Sequence, residues 1–264
     1  MKSKRMNETI FRLDGRVAIV TGGAGGICSA ICRAYANVGA KVACLDYDGA
    51  AAQSLANAIR EDGGQAIGLA CDVSDERSTI DAAAEVKRCF GVPSVLLNGA
   101  AVLDRSGTVL DIGLQEWQRV LAVNLTGAYL MSRAVLPDMI SAGRGSIIHL
   151  ASMHGSVARA GRVSYTTAKA GLVMLAKNMA IDHVNDGIRV NSLSPGPVAT
   201  RRITFRYDDG KDVQEKLKEV AQRYPMKRFA EPDEMVGAAL FLASDASSYM
   251  TGADLLVDGC YCAG

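Results

Sequence analysis

Short apolar runs alternate with helically spaced segments along the first two-thirds of the chain. Residues 16–21 form the first apolar run, and 25–38 carry helical spacing that stops at Gly39. Residues 41–45 read as strand, an Ala-rich stretch through Arg60 as helix, and Gly63-Gly64 as its stop. The same reading predicts strands at 65–70, 94–97, 146–150 and 188–193, with helices at 75–89, 114–136 and 165–184. Such alternation predicts a parallel sheet covered by helices on both faces and joined by right-handed crossovers. No repeat, low-complexity tract or linker divides the chain. A single domain is therefore expected over residues 13–264, after a basic tail at 1–12.

The pattern breaks after Pro195. Residues 196–230 hold polar loop, a charged amphipathic piece at 211–222 and a basic cluster; a helix at 231–242 and a last strand at 254–257 follow. Open α/β sheets bind ligands beyond the carboxyl ends of their strands, so the 196–230 insertion is a candidate substrate lid. An ordinary surface excursion is the plainer alternative.

Composition narrows the classes. With 264 residues, 49% of them apolar, the chain can bury roughly 70–75% of its unfolded surface and needs no covalent staple. A formal net charge of +1 argues for neither nucleic acid nor an anionic membrane as the main partner. The first apolar run is too short for a signal-peptide core or a membrane span. Seven cysteines, an odd number without a CxxC pair, do not read as a disulfide framework or a metal site. A reducing, cytoplasmic setting is the expectation.

Two ends of a site can be read from the motifs. Thr21-Gly22-Gly23-Ala24-Gly25-Gly26-Ile27-Cys28 lies between the first strand and the first helix. A glycine turn there lets the backbone approach a pyrophosphate, and the helix N-terminus offers it N–H groups and partial positive charge. Asp46 ends the second strand, where an acid can accept hydrogen bonds from the adenosine ribose and repel a 2′-phosphate. Neither Gly23–Gly25 nor Tyr47 offers a cation to hold that phosphate, so NAD is expected rather than NADP. A helix N-cap is the alternative role for Asp46, although Asp48 is better placed for it.

At the other end, Tyr165 and Lys169 are four apart on one helix face. A tyrosine is a poor base near neutral pH, and an adjacent ammonium favours its phenolate. Ser152 follows a strand and could hydrogen-bond a substrate oxygen beside the tyrosine. Glycine turn, acid, serine and Tyr/Lys pair occur here in the order that characterises the short-chain dehydrogenase/reductase family. The resemblance covers about residues 13–259.

Further segments resemble that family's motifs: Cys71-Asp72-Val73, Asn124-Leu125-Thr126-Gly127, Ser194-Pro195-Gly196-Pro197-Val198-Ala199-Thr200 and Val257-Asp258-Gly259. The resemblance implies one doubly wound, Rossmann-type α/β domain with a seven-stranded parallel sheet and helices on both faces. It implies hydride transfer between nicotinamide and an alcohol or ketone carbon. Tyr165 would move the hydroxyl proton, Lys169 would favour its phenolate and bind the nicotinamide ribose, Ser152 would position the carbonyl oxygen, and Asn124 would hold a water leading to Lys169. Gly22, Gly26, Ile27, Asp46, Asp72, Val73, Asn98, Ala100, Pro195, Gly196, Val198 and Thr200 would contact the cofactor, with Tyr165 and Lys169. A homodimer or homotetramer is implied as well, its contacts made by the helices at 114–136 and 165–184.

Three positions depart from the family pattern. Cys28 replaces the last glycine of the cofactor motif and is expected to push the first helix off slightly. Asn98-Gly99-Ala100-Ala101 replaces the usual Asn-Asn-Ala-Gly, and Cys260 replaces a common second glycine. Around the pocket, His154 is a candidate substrate contact. Arg159, Arg162, Arg201, Arg202 and Arg206 are candidates for the pocket mouth, against the alternative of solvated arginines. These favour a polar substrate such as a polyol, a sugar or a hydroxy/keto acid. His149 and His183 read as structural. The rival readings are an NADP-dependent carbonyl reductase and a non-catalytic dinucleotide sensor.

Overall fold

The computed structural model describes residues 8–201, 203–204 and 213–263, leaving aside the side chains of Glu8 and Gln214. Seven strands run in chain order: β1 (Val17–Thr21), β2 (Lys41–Asp46), β3 (Gln65–Ala70), β4 (Val95–Asn98), β5 (Gly145–Leu150), β6 (Ile188–Pro195) and β7 (Asp254–Val257). They form one parallel sheet in the order β3-β2-β1-β4-β5-β6-β7. Between them lie helices α1 (Gly26–Asn37), α2 (Gly49–Glu61), α3 (Glu76–Phe90), α4 (Leu114–Leu121), α5 (Gly127–Ser141), α6 (Val163–His183), α7 (Val213–Ala221) and α8 (Val236–Ala243).

Strands that are buried on both faces read as unbroken apolar runs, and β1, β4 and β5 are buried at every residue. Alternate side chains feed two cores. Ala18, Val20, Val42 and Leu97 join Ile31 and Tyr35 of α1 and Leu242 of α8 on one face. Val17, Ile19, Leu45 and Leu96 join Val86 of α3, Met131 of α5 and Ala176 of α6 on the other. Chain order reverses between β1 and β4, so the segments leaving Thr21 and Asn98 diverge at the carboxyl edge. That divergence opens the crevice in which doubly wound sheets hold ligands.

Three expectations need correction. The stretch 114–136 is not one regular helix: Ala122–Thr126 forms a π turn between α4 and α5. Its Asn124 side chain is buried and spans the backbone of Val102, accepting from the N–H at 2.7 Å and donating to the carbonyl at 3.1 Å. The second helix then continues through Pro137 to Ser141 instead of stopping at 136. Of the expected tail, Glu8–Phe11 forms a 3-10 turn packed on the turn at Asp245–Ser247, while residues 1–7 lie outside the described residues. By length and composition Leu114–Ser141 could cross a membrane; in this fold it packs on α3, β4 and β5.

The excursion after β6 has a pinned neck. The Ala199 N–H donates to the Ala230 carbonyl at 2.7 Å, and the Ala230 N–H to Pro197 at 2.8 Å. Beyond the neck, α7 and Tyr224 pack on Met153, with Phe229, Tyr261 and Cys262 around them. Residues 202 and 205–212 of the excursion, including Arg202 and Arg206, lie outside the described residues.

Candidate active site

The switch point opens into a groove of about 780 Å³, within the range of a cofactor site. The glycine turn forms its floor because only glycine fits there. A Cβ on Gly22 would lie 2.8 Å from the Ala100 Cα, and one on Gly26 2.8 Å from the Thr200 Cγ2. Gly22 also has a positive φ of 66°, which side chains disfavour. α1 begins at this floor with Gly25 as N-cap, no side chain capping it and no acid in its first turn. Its leading N–H groups are thus available for an anion.

The Asp46 carboxylate closes the far end. It accepts from the Ala24 N–H at 3.1 Å and from the Asp48 N–H at 3.1 Å, while Asp48 itself caps α2 through the Ala51 N–H at 3.0 Å. Ile27, Asp72, Val73, Ala100 and Thr200 also line the groove. One cation escaped the motif reading, because it lies in no recognised motif: Arg119 of α4 reaches the groove wall, as does Arg201, expected at the pocket mouth. These features fit a nicotinamide dinucleotide, which supplies or accepts a hydride when bound.

A smaller cavity of about 140 Å³ adjoins the groove. Ser152, His154, Tyr165 and Lys169 line it together with Pro195, Gly196, Val198 and Thr200. Ser152 starts a 3-10 turn past β5, and its Oγ accepts from the His154 N–H at 3.2 Å. The buried Lys169 ammonium donates to the Leu150 carbonyl at 2.5 Å and lies 5.8 Å from the centroid of the Tyr165 ring. Its position beside the phenol is what an acid/base tyrosine requires. Ile203 and Tyr224 reach the cavity from the excursion.

Asn98 and Asn124 do not line either space. Asn98 is buried in the sheet, its Nδ2 donating to the Ser132 Oγ at 3.1 Å and facing the His149 Nδ1 at 3.2 Å, so its side chain is not placed to meet a cofactor. Asn124 holds Val102, as described above. His149 is fully buried and its pKa falls to about 3, through burial first and the Lys169 charge second. His183 pairs with Asp186 at 2.9 Å, away from the site.

Residues 22–261 match a family model described as Enoyl-(Acyl carrier protein) reductase. The D-threitol dehydrogenase of Mycolicibacterium smegmatis is 42% identical over 252 residues, covering 95% of this chain and 94% of that one. This chain belongs to the short-chain dehydrogenase/reductase family. Among solved structures, a gluconate 5-dehydrogenase from Burkholderia cenocepacia in complex with NADP and tartrate superposes with a TM-score of 0.89 at 32% identity, covering 97% of this chain and 98% of that one. An NAD⁺-bound xylitol dehydrogenase superposes with a TM-score of 0.87 at 31% identity, covering 94% and 99%.

Two of this short-chain dehydrogenase's departures from the family pattern prove to be one. Cys28 is buried against Gly99, where an added Cβ would lie 2.3 Å from its Sγ. The thiol fills space that a side chain at 99 would need. α1 runs from Gly26 to Asn37 with Cys28 buried on its inner side.

The tyrosine is held by a device absent from the motif reading. Arg162 precedes α6 and is buried with Asp104 in an ion pair of 2.5 Å. The same carboxylate accepts from the Tyr165 N–H at 3.3 Å, and the guanidinium carbon stands 4.9 Å from the centre of the Tyr165 ring. Asp104 thus caps α6 from another loop and fixes a cation over the phenol ring. Arg162 is a built part of the cavity wall rather than a solvated arginine at its mouth, and Arg159 lines the same wall.

Proposed function

We propose that this short-chain dehydrogenase is an NAD-preferring enzyme that oxidises a secondary hydroxyl of a polyol or sugar, with the reverse reduction at the same site. The observation that carries the reading is the continuity of two spaces: Asp46 bounds the far end of the groove, and Ser152, Tyr165 and Lys169 face the cavity at its near end. In the oxidative direction Ser152 holds the substrate oxygen, Tyr165 takes its proton as the hydride leaves carbon, and Lys169 stabilises the phenolate. Asn124, in its π turn, serves the water path to Lys169.

The names of the D-threitol and xylitol dehydrogenases support a polyol, and the NAD⁺ of the latter supports the cofactor. The NADP of the gluconate 5-dehydrogenase favours the second reading, an NADP-dependent carbonyl reductase. Asp46 argues for NAD because a carboxylate facing a 2′-phosphate in a partly desolvated site costs several kcal/mol. Each 1.4 kcal/mol is about tenfold. The expected NAD preference in kcat/KM is therefore roughly a hundredfold or more, and Asp46→Ser shrinks it mainly by improving NADP. Steady-state rates with both cofactors over a polyol and ketone panel test this. Equal kcat/KM for NAD and NADP promotes the reductase reading, and tight dinucleotide binding without turnover promotes the sensor.

The excursion acts as the substrate lid, its pinned neck letting Tyr224 and α7 close over the cavity. Exposed Leu110, Leu114 and Tyr129 around α4 and α5, with Met174 and Ile181 on α6, support a homodimer or homotetramer. Light scattering over a range of concentrations tests the assembly.

A further inference from the structure

We propose that His154 recognises the substrate, pairing with a second hydroxyl on the carbon chain that carries the reacting one. The inference rests on the dehydrogenase reading above and adds a recognition group to it. His154 is only 7% exposed and lines the cavity, and its ring, which feels the Val157 backbone on one side, makes no close hydrogen bond. An unpaired buried polar group costs roughly 1–3 kcal/mol, so a purely structural residue here is better served by an apolar ring. The packing does not ask for an imidazole. Its ring meets Tyr261 edge-on at 6.0 Å, a contact that phenylalanine makes equally well.

The chemistry of the vacant partner follows from the state of the ring. Burial foremost, then the charges of Arg159 and Arg162, push its pKa down to about 4 against a weaker influence of the Val157 backbone. At neutral pH the imidazole therefore presents one donor and one acceptor. A hydroxyl can answer either nitrogen, donating to the bare one or accepting from the N–H. A carboxylate matches only the donor and leaves the other nitrogen bare. The group that meets His154 is therefore a hydroxyl rather than a carboxylate, as on a polyhydroxylated chain. Position follows from the turn: His154 rides on the same 3-10 turn as Ser152 and donates its own N–H to the Ser152 Oγ at 3.2 Å. A ring carried so close to the reacting oxygen's seat meets a hydroxyl a short way along the same chain.

The test compares polyols with mono-alcohols of equal length. Erythritol, threitol, xylitol and galactitol are assayed beside 2-butanol, 2-pentanol and 2-hexanol, with NAD and with NADP, for wild type, His154→Phe and His154→Gln. Wild type favours the best polyol over its mono-alcohol. In His154→Phe that kcat/KM ratio falls by about 10–100-fold, consistent with one lost hydrogen bond and its desolvated partner. His154→Gln, which keeps a donor and an acceptor, retains more of the ratio than His154→Phe. Melting temperature monitors the fold, and His154→Phe melts no lower than wild type because it removes an unpaired group. If His154→Phe does not fold, His154→Leu takes its place: a lowered ratio supports the proposal and an unchanged one overturns it. A wild type that turns over mono-alcohols as well as polyols, or a ratio unmoved in His154→Phe, overturns the proposal and leaves the dehydrogenase reading standing. No turnover of any alcohol with either cofactor overturns both.

Discussion

Gly99→Asn restores the residue usual in this family and should nevertheless damage the protein. The new Cβ would stand 2.3 Å from the Cys28 Sγ, 2.9 Å from the Thr21 carbonyl oxygen and 3.2 Å from the Leu97 Cδ2. Favourable heavy-atom contacts lie at about 3.5–4.0 Å, so the sulfur is overlapped by more than an ångström. Cys28 is buried and cannot swing into solvent. Gly99 cannot retreat freely either, because its N–H and that of Ala100 donate to the Thr21 Oγ1 at 3.1 and 3.2 Å. Overpacking of this kind costs about 1–3 kcal/mol, and the upper part of that range is expected. In a chain of this size the loss lowers the melting temperature by roughly 5–10 °C. Dinucleotide affinity should fall too, since Gly99 and Ala100 both line the groove.

Cys28→Gly alone should cost about 1 kcal/mol, from a lost buried thiol and a more flexible helix start. Combined, the two substitutions relieve the sulfur clash, and the double variant should be more stable than Gly99→Asn alone by at least about 1 kcal/mol. The tight approaches to Thr21 and Leu97 remain in it. Urea denaturation and NAD titration of the four proteins measure the coupling. Additivity within about 0.5 kcal/mol would refute the claim that Cys28 and Gly99 are a matched pair.

Other perturbations reach the remaining parts of the site. Tyr165→Phe should fold and bind NAD as wild type while turnover falls by about 10³-fold or more, because proton transfer and substrate orientation are lost together; near-normal kcat removes the tyrosine from the chemistry. Asp104→Asn strands the buried Arg162 guanidinium and should cost about 3–5 kcal/mol. The double change Asp104→Leu with Arg162→Met should recover melting temperature but not kcat, since Tyr165 then lacks both its cap and its cation. Recovered kcat in that pair would show that the ion pair does not position the tyrosine. His149 stays neutral in the fold down to about pH 3, whereas an unfolded histidine protonates near 6.5. The unfolded chain therefore binds more protons between those values, so stability is complete above pH 6.5 and falls as pH drops, by about 1.4 kcal/mol per unit for this group. Urea midpoints at pH 7, 6 and 5 should show a slope that His149→Gln reduces by that amount.

The elements most legible in the sequence were those with sharply marked ends. β1, β3 and β7 stood out because apolar runs bounded by glycine and polar residues admit few other readings. The site's backbone was legible for the same reason: glycines at 22 and 26 and the Tyr165/Lys169 spacing are local. The π turn was not, because Asn124 distorts the helix only by reaching Val102, twenty-two residues away. Asn98 looked like a contact from its motif, yet the pleat of β4 turns its side chain toward His149 and Ser132. Asp104 and Arg162 are separated by 58 positions, and neither belongs to a motif. The Cys28–Gly99 exchange was visible as two oddities, and only spatial contact makes them one.

The pinned neck at Val198 and Ala230 separates two kinds of evolutionary pressure. Once the ends of a surface segment are held together, doubling its length adds only about 0.6 kcal/mol of closure entropy. Residues beyond the neck can therefore drift, lengthen or be exchanged without disturbing the register of β6 and β7 or the cofactor groove. Selection for a new substrate can rewrite Ile203 and Tyr224 while the reaction centre is inherited unchanged.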